Sequence, residues 1–185
     1  MFRIVAGSGR FVLATACALL MTTACLPSTY VAKRMPLMVT WVSSGDLELV
    51  FPLCQGQAMA SLGLTGADHD GHRWTVRNGD KASRVAADEV VQLVVGNTEL
   101  VSGSLSDRWP IIEAFEPGYP TEVGDFDYLF VRTTNYDAGI HIADIGSTQS
   151  WIIDGDTIEH GTSPVEVAHA DGLAQIGAFC ADQKS

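Results

Sequence analysis

From Leu37 onward the chain advances in short runs of β-branched, aromatic and aliphatic residues, each soon stopped by glycine, proline, asparagine or aspartate. That rhythm constrains the fold more than any other feature, because strands of this length separated by turn signals stack into sheets. Strands are expected over residues 37–43, 47–53, 58–64 and 73–77. Residues 89–95, Glu-Val-Val-Gln-Leu-Val-Val, are almost continuously apolar and read as a central buried strand. Residues 100–107 fit either state, and 109–115 fit a strand or a short turn of helix. Residues 116–126 hold two prolines and two glycines and read as a long irregular loop. Beyond it, strands are expected at 128–133 and 139–145, with a hairpin over 151–158 turning on Asp154-Gly155, a pair suited to a type I′ turn. Ser163 and Glu166 have capping-box spacing, with Pro164 at the first helical position, and predict a short helix stopping before Gly172. A last strand, 173–180, then carries Cys180 back to the sheet. The fold class is therefore all-β, an antiparallel β-sandwich or partly closed barrel with at most one short C-terminal helix.

Ahead of this domain lies a different kind of sequence. Arg3 and Arg10 flank a region without acids, residues 11–24 are an uncharged and mostly apolar run of 14 residues, and Thr22, Thr23 and Ala24 lead into Cys25. These are the parts of an export signal. A helix that crosses a bilayer needs about 20 apolar residues, so a removable signal fits better than an anchor. The segment ending Thr23-Ala24-Cys25 resembles the lipobox of bacterial lipoproteins, with Thr22 where that pattern carries leucine, valine or isoleucine. The resemblance implies a diacylglyceryl thioether on Cys25. An ordinary signal peptidase, reading Thr22 and Ala24 as its small pair, would instead cut after Ala24. The expected organisation is a signal peptide at 1–24, a lipid-anchored tether at 25–36 and a β-rich exported domain at 37–185.

Cysteine counting follows from that assignment. Of Cys17, Cys25, Cys54 and Cys180, the first leaves with the signal and the second takes lipid. Cys54 and Cys180 remain as one potential disulfide in an oxidising compartment, the alternative being two buried free thiols. Pro52-Leu53-Cys54 after an early strand, paired with Phe179-Cys180 near the end, also resembles small exported actinobacterial lipoproteins that have no established function. That likeness implies nothing about activity.

After cleavage nine Lys and Arg stand against 22 Asp and Glu, a formal net charge of −13. Such a balance argues against nucleic acid as a partner and against a basic face for anionic membrane. Asp68, His69, Asp70 and His72 place four potential metal ligands in five residues, but a solvated turn on Asp70-Gly71 accounts for the same residues. His141, His160 and His169 are candidates for a histidine cluster. Tyr119, between Pro117 and Pro120, is a candidate binding aromatic on the long loop. No Gly-x-Ser-x-Gly elbow, Walker or dinucleotide fingerprint occurs, so no catalytic residue and no cofactor is assigned. The expected role is a binding or structural-interaction module of the cell envelope, held to the membrane through lipid on Cys25 and meeting an envelope protein or small ligand. The alternatives are an envelope hydrolase or metal-dependent enzyme using clustered histidines, and a protein that takes a ligand into an apolar cavity between its sheets.

Overall fold

The computed structural model describes residues 33–43, 45–66, 73–77, 84–96, 99–103, 122–157 and 161–184. Eleven strands and one α-helix are drawn from them. The strands are β1 (Lys33–Arg34), β2 (Pro36–Trp41), β3 (Asp46–Leu53), β4 (Met59–Thr65), β5 (Arg73–Arg77), β6 (Glu89–Gly96), β7 (Glu99–Gly103), β8 (Tyr128–Thr133), β9 (Tyr136–His141), β10 (Ser150–Asp154) and β11 (Val165–Val167), and the helix is α1 (His169–Asp182). One sheet has the order β1-β9-β8-β4-β5 and the other β11-β10-β2-β3-β6-β7. Among the described residues each order is linear and open at both ends, which makes a sandwich rather than a barrel. Pairing is antiparallel except where β1 runs parallel to β9. Lys33 to Pro36, expected as tether, is thus already in the sheets.

The interior is built by alternation. Leu47, Leu49, Phe51 and Leu53 of β3 face inward with Leu37 and Val39 of β2, and meet Leu62, Leu64, Leu129, Val131 and Ile140 of the other sheet in one buried apolar cluster. The opposite face of β2, β3 and β10 is apolar too, because α1 covers it. Met38, Val50 and Ile152 pack there against Ile176, flanked by Val167 and Leu173. A strand pressed on both faces reads as a continuous apolar run. Pro52 fits within β3 because pairing with β2 ends at Val50, leaving that stretch of backbone bonded to β6 alone.

Several expectations are corrected. Strand β6 is flanked by β3 and β7, yet Val91, Leu93 and Val95 are buried while Val90 and Gln92 are exposed. It is buried on one face only, since α1 stops short of covering it. Residues 142–144, expected as strand, form a 3-10 turn after β9. A further 3-10 turn, Val123–Asp125, lies inside the expected irregular loop. The Asp154-Gly155 hairpin does not form. Gly155 has φ +112° and donates to Met35, after which the chain crosses to the other sheet, where Gly139 donates to Gly155 at 3.0 Å and Thr157 to Gly139 at 3.0 Å. Tyr128 donates to the Asp156 carboxylate over this crossing, and any side chain in place of Gly139 would run into both.

The C-terminal assignments are reversed. Val165-Glu166-Val167, expected to open a helix, is β11 and pairs with β10, while the expected strand 173–180 is the body of α1. Gly172, Ile176 and Cys180 form its buried stripe at helical spacing, with Leu173 and Phe179 half-buried beside them. Gly172 does not stop the helix because its missing side chain is where Met38 sits, with Val167 Cγ2 only 3.2 Å from a Cβ placed there. Gly177 has open space, its nearest such neighbour being Val90 Cγ2 at 3.9 Å. Gly177→Ala is therefore expected to stabilise the protein by about 1 kcal/mol through helix propensity alone. Gly172→Ala should destabilise it despite the same propensity gain, and chemical denaturation of the two variants reads the opposite signs.

Candidate functional site

The strand registers define two ends of the sandwich. Lys33, Leu53, Glu89, Arg132 and Asp154 mark the end where the chain enters. Trp41, Asp46, Gly96, Tyr128, His141 and Ser150 mark the far end.

At the far end two open clefts lie side by side and share Val42. One, about 400 Å³, is lined by Trp41, Val42, Ser43, Gly45 and Ser147. Gly45 takes φ +111°, which lets the β2–β3 turn reverse, and Ser43 Oγ donates to Asp46 Oδ2 at 2.6 Å, closing that turn. The Trp151 indole packs against Gly146, next to Ser147, with its Nε1 buried and without a hydrogen-bond partner among the described residues. Trp41 and Trp151 are both half-buried on the core. The cleft thus offers an aromatic edge, hydroxyls and exposed backbone.

The second cleft, about 440 Å³, is formed where β2, β3 and β10 meet the start of α1, and holds Thr40, Glu48, Ser150 and His169. Thr40 Oγ1 donates to Ser150 Oγ at 2.8 Å, an approach set by the direct pairing of those two residues across β2 and β10. Ser150 Oγ is 3.3 Å from His169 Nδ1, and Glu48 Oε2 is 3.9 Å from the same nitrogen. A hydroxyl, an imidazole and a carboxylate side by side invite comparison with nucleophilic catalysis. In that chemistry the base turns one ring nitrogen to the nucleophile and the other to its orienting acid. Here both partners face Nδ1, and Ser150 is a strand residue only 4% exposed. The arrangement fastens the first turn of α1 to three strands.

The other end of α1 is fastened more firmly. Cys54, just past β3, and Cys180 are joined by a disulfide with Cα atoms 5.3 Å apart. Lys184 Nζ lies 2.6 Å from Asp88 Oδ2, and Asp88 Oδ1 accepts the Gln55 N–H at 2.8 Å. The Lys184 bond first, then the Gln55 bond, hold the Asp88 carboxyl below the usual carboxylate range. A lowered folded value means that this clasp stabilises the fold above the carboxyl's ordinary range, about pH 4, and is lost as pH falls through the lowered value. Asp88→Asn is expected to lower the melting temperature at neutral pH and to match the parent in strong acid. Melting curves across the acid range measure that convergence. A third cleft, about 680 Å³, runs along α1 and β11 between Ile152, Val165, Phe179, Arg34, Asp154 and Asp182.

His141 packs edge-on to the Tyr128 ring at 5.4 Å in the five-stranded sheet, whereas His169 lies over the six-stranded one, so these two do not meet. Ile140 is buried beside it, and Ala143 lies in the 3-10 turn that follows. Cys25, Asp68, His69, Asp70, His72, Tyr119 and His160 lie outside the described residues. Among the described residues no three His, Cys, Asp or Glu side chains gather as a metal site would need. The clustering of Thr40, Glu48, Ser150 and His169 was not anticipated. Its partners are 19 and 110 residues apart, and only the strand register and the position of α1 bring them together.

No protein-family model matches the chain, and no curated protein or solved structure matches it.

Proposed function

We propose that the protein is an exported lipoprotein of the cell envelope, anchored through lipid on Cys25, whose sandwich domain acts as a binding or interaction module. The observation that carries this reading is the Cys54–Cys180 disulfide, which uses the two cysteines left over when Cys17 departs with a signal and Cys25 is lipidated. A bridge of that kind suits an oxidising compartment outside the cytoplasm. Support for a binding role comes from the distribution of groups: the interior is one continuous apolar cluster, and polar and aromatic side chains collect in the open clefts at its rim. Concave sites of this kind, on turns held by a rigid sheet, are where small partners are taken.

The test is the intact, non-reduced mass of the protein recovered separately from membrane and from medium. The expected species is membrane-bound, starts at Cys25, is heavier by its acyl chains and lighter by the two hydrogens of the disulfide. An unlipidated species in the medium, or one keeping residues 1–24 in the membrane, would sink the anchor.

A further inference from the structure

The acidic balance of the whole chain conceals an uneven placement. Lys33 and Arg34 lie beside Tyr136 and Asp137, Arg132 lies opposite Asp137, and Arg77 lies opposite Ser61 near the start of β4. Arg84 donates to the Gly56 carbonyl in the loop after β3, and Lys184 follows α1. All six positions are at the end where the chain enters, and Lys33, Arg34, Arg84, Arg132 and Lys184 are exposed. Acids are present here too: Asp88, matched by Lys184, the buried Asp137, the half-buried Glu89, and the exposed Asp154 and Asp182. Among the described residues, charge at this end is close to balanced. The far end carries Asp46, Glu48, Asp125, Asp127, Asp144 and Asp171, and Arg73 at the start of β5 is its one Lys or Arg among the described residues.

We propose that the Lys33 end rests against anionic lipid headgroups of the bilayer, with the acidic end and its Trp41 cleft turned away. This rests on the lipid anchor at Cys25 put forward above. Only residues 26–32 separate that cysteine from Lys33, so the span between them is at most about 29 Å even when fully extended. So short a tether lets the domain settle within a Debye length of the surface, about 8 Å at physiological salt, where the field of an anionic bilayer attracts the entry-end cations and disfavours approach of the far end. The same asymmetry identifies the partner. A near-neutral end holds a free polyanion such as RNA too weakly, because binding in solution needs many uncompensated cations. A tethered domain is already concentrated at the surface, where a slight attraction decides its orientation.

The experiment uses the full chain purified from membranes, its acylation first established by mass, and placed in vesicles of phosphatidylcholine alone or mixed with phosphatidylglycerol. Hydrogen exchange is followed by peptide. Exchange severalfold slower at residues 33–35, 54–58 and 132–137 is expected on the mixed vesicles only, abolished by high salt and by Arg34→Gln with Arg132→Gln. The double variant must melt as the parent does; if it does not, the salt arm decides alone. Equal exchange on both vesicles, slowing at residues 42–46 or 143–149, or slowing that persists in detergent without lipid, would overturn the proposal. An acylated protein with no dependence on lipid charge defeats the orientation alone, whereas an unacylated one defeats the anchor.

Discussion

Replacing Cys54 and Cys180 together by alanine is expected to lower the unfolding free energy by about 5 kcal/mol. The bridge spans 126 residues of sequence, and the chain-entropy model assigns roughly that amount to closing so long a loop in the unfolded state. The native contribution is separate. Cys180 ends the buried stripe of α1, and the bond fixes the last turns of the helix to the end of β3, beside the Asp88–Lys184 clasp. Denaturant titration of the double variant measures the global loss, and hydrogen exchange in α1 measures the local one. If the bridge acts through the unfolded chain, all the strands lose protection together. If it acts mainly by holding the helix, α1 opens first while β2, β3 and β6 keep their protection, and the global loss falls well below the entropic figure.

The strands were legible in the sequence wherever one face was buried and turn residues marked the ends. The β2, β3, β4, β5 and β8 assignments needed only short runs of strand-forming residues and their punctuation, β2 and β3 reading as nearly continuous apolar runs because both of their faces are covered. What period and punctuation do not carry is the crossing of the chain between sheets. Asp154-Gly155 has turn chemistry, and Gly155 does take a positive φ, but the angle serves a passage onto the edge of β9 rather than a hairpin. The C-terminus misleads for a related reason. Gly172 and Gly177 lower helix propensity, and Ile176, Phe179 and Cys180 suit a strand, so local preference points to β. Burial of Gly172 and Ile176 on Met38, Val50 and Ile152, with Cys180 bonded to Cys54, decides for helix, and that partner surface comes from strands far away in sequence.

The candidate site was less legible than the fold. Histidine content drew attention to residues by type, and of those only His141 and His169 are among the described residues. His169 gains its setting from Thr40, Glu48 and Ser150, three ordinary strand residues whose nearness depends on a register no motif records. The Cys54–Cys180 pair was legible because counting cysteines is a constraint independent of distance.

A second large effect is expected at Phe51. Its side chain is fully buried in the second half of β3, with Leu49 and Leu53 along the same face and the strands of the facing sheet across the interior. Phe51→Ala removes the ring where β3 is held by continuous pairing with β6 in a sheet braced by α1, so the walls have little freedom to collapse. The expected loss is about 3–5 kcal/mol, the transfer cost of the ring plus the cavity left behind. Val165→Ala, at an edge position 60% exposed, should change stability by less than about 0.5 kcal/mol. The contrast also bears on how the domain takes a partner. A filled interior makes the new cavity dry and apolar, and the Phe51→Ala protein should regain melting temperature on adding benzene while the parent does not respond. A parent that is itself stabilised by benzene would instead reveal room between the sheets, and would move the binding role from the clefts at the rim to the interior.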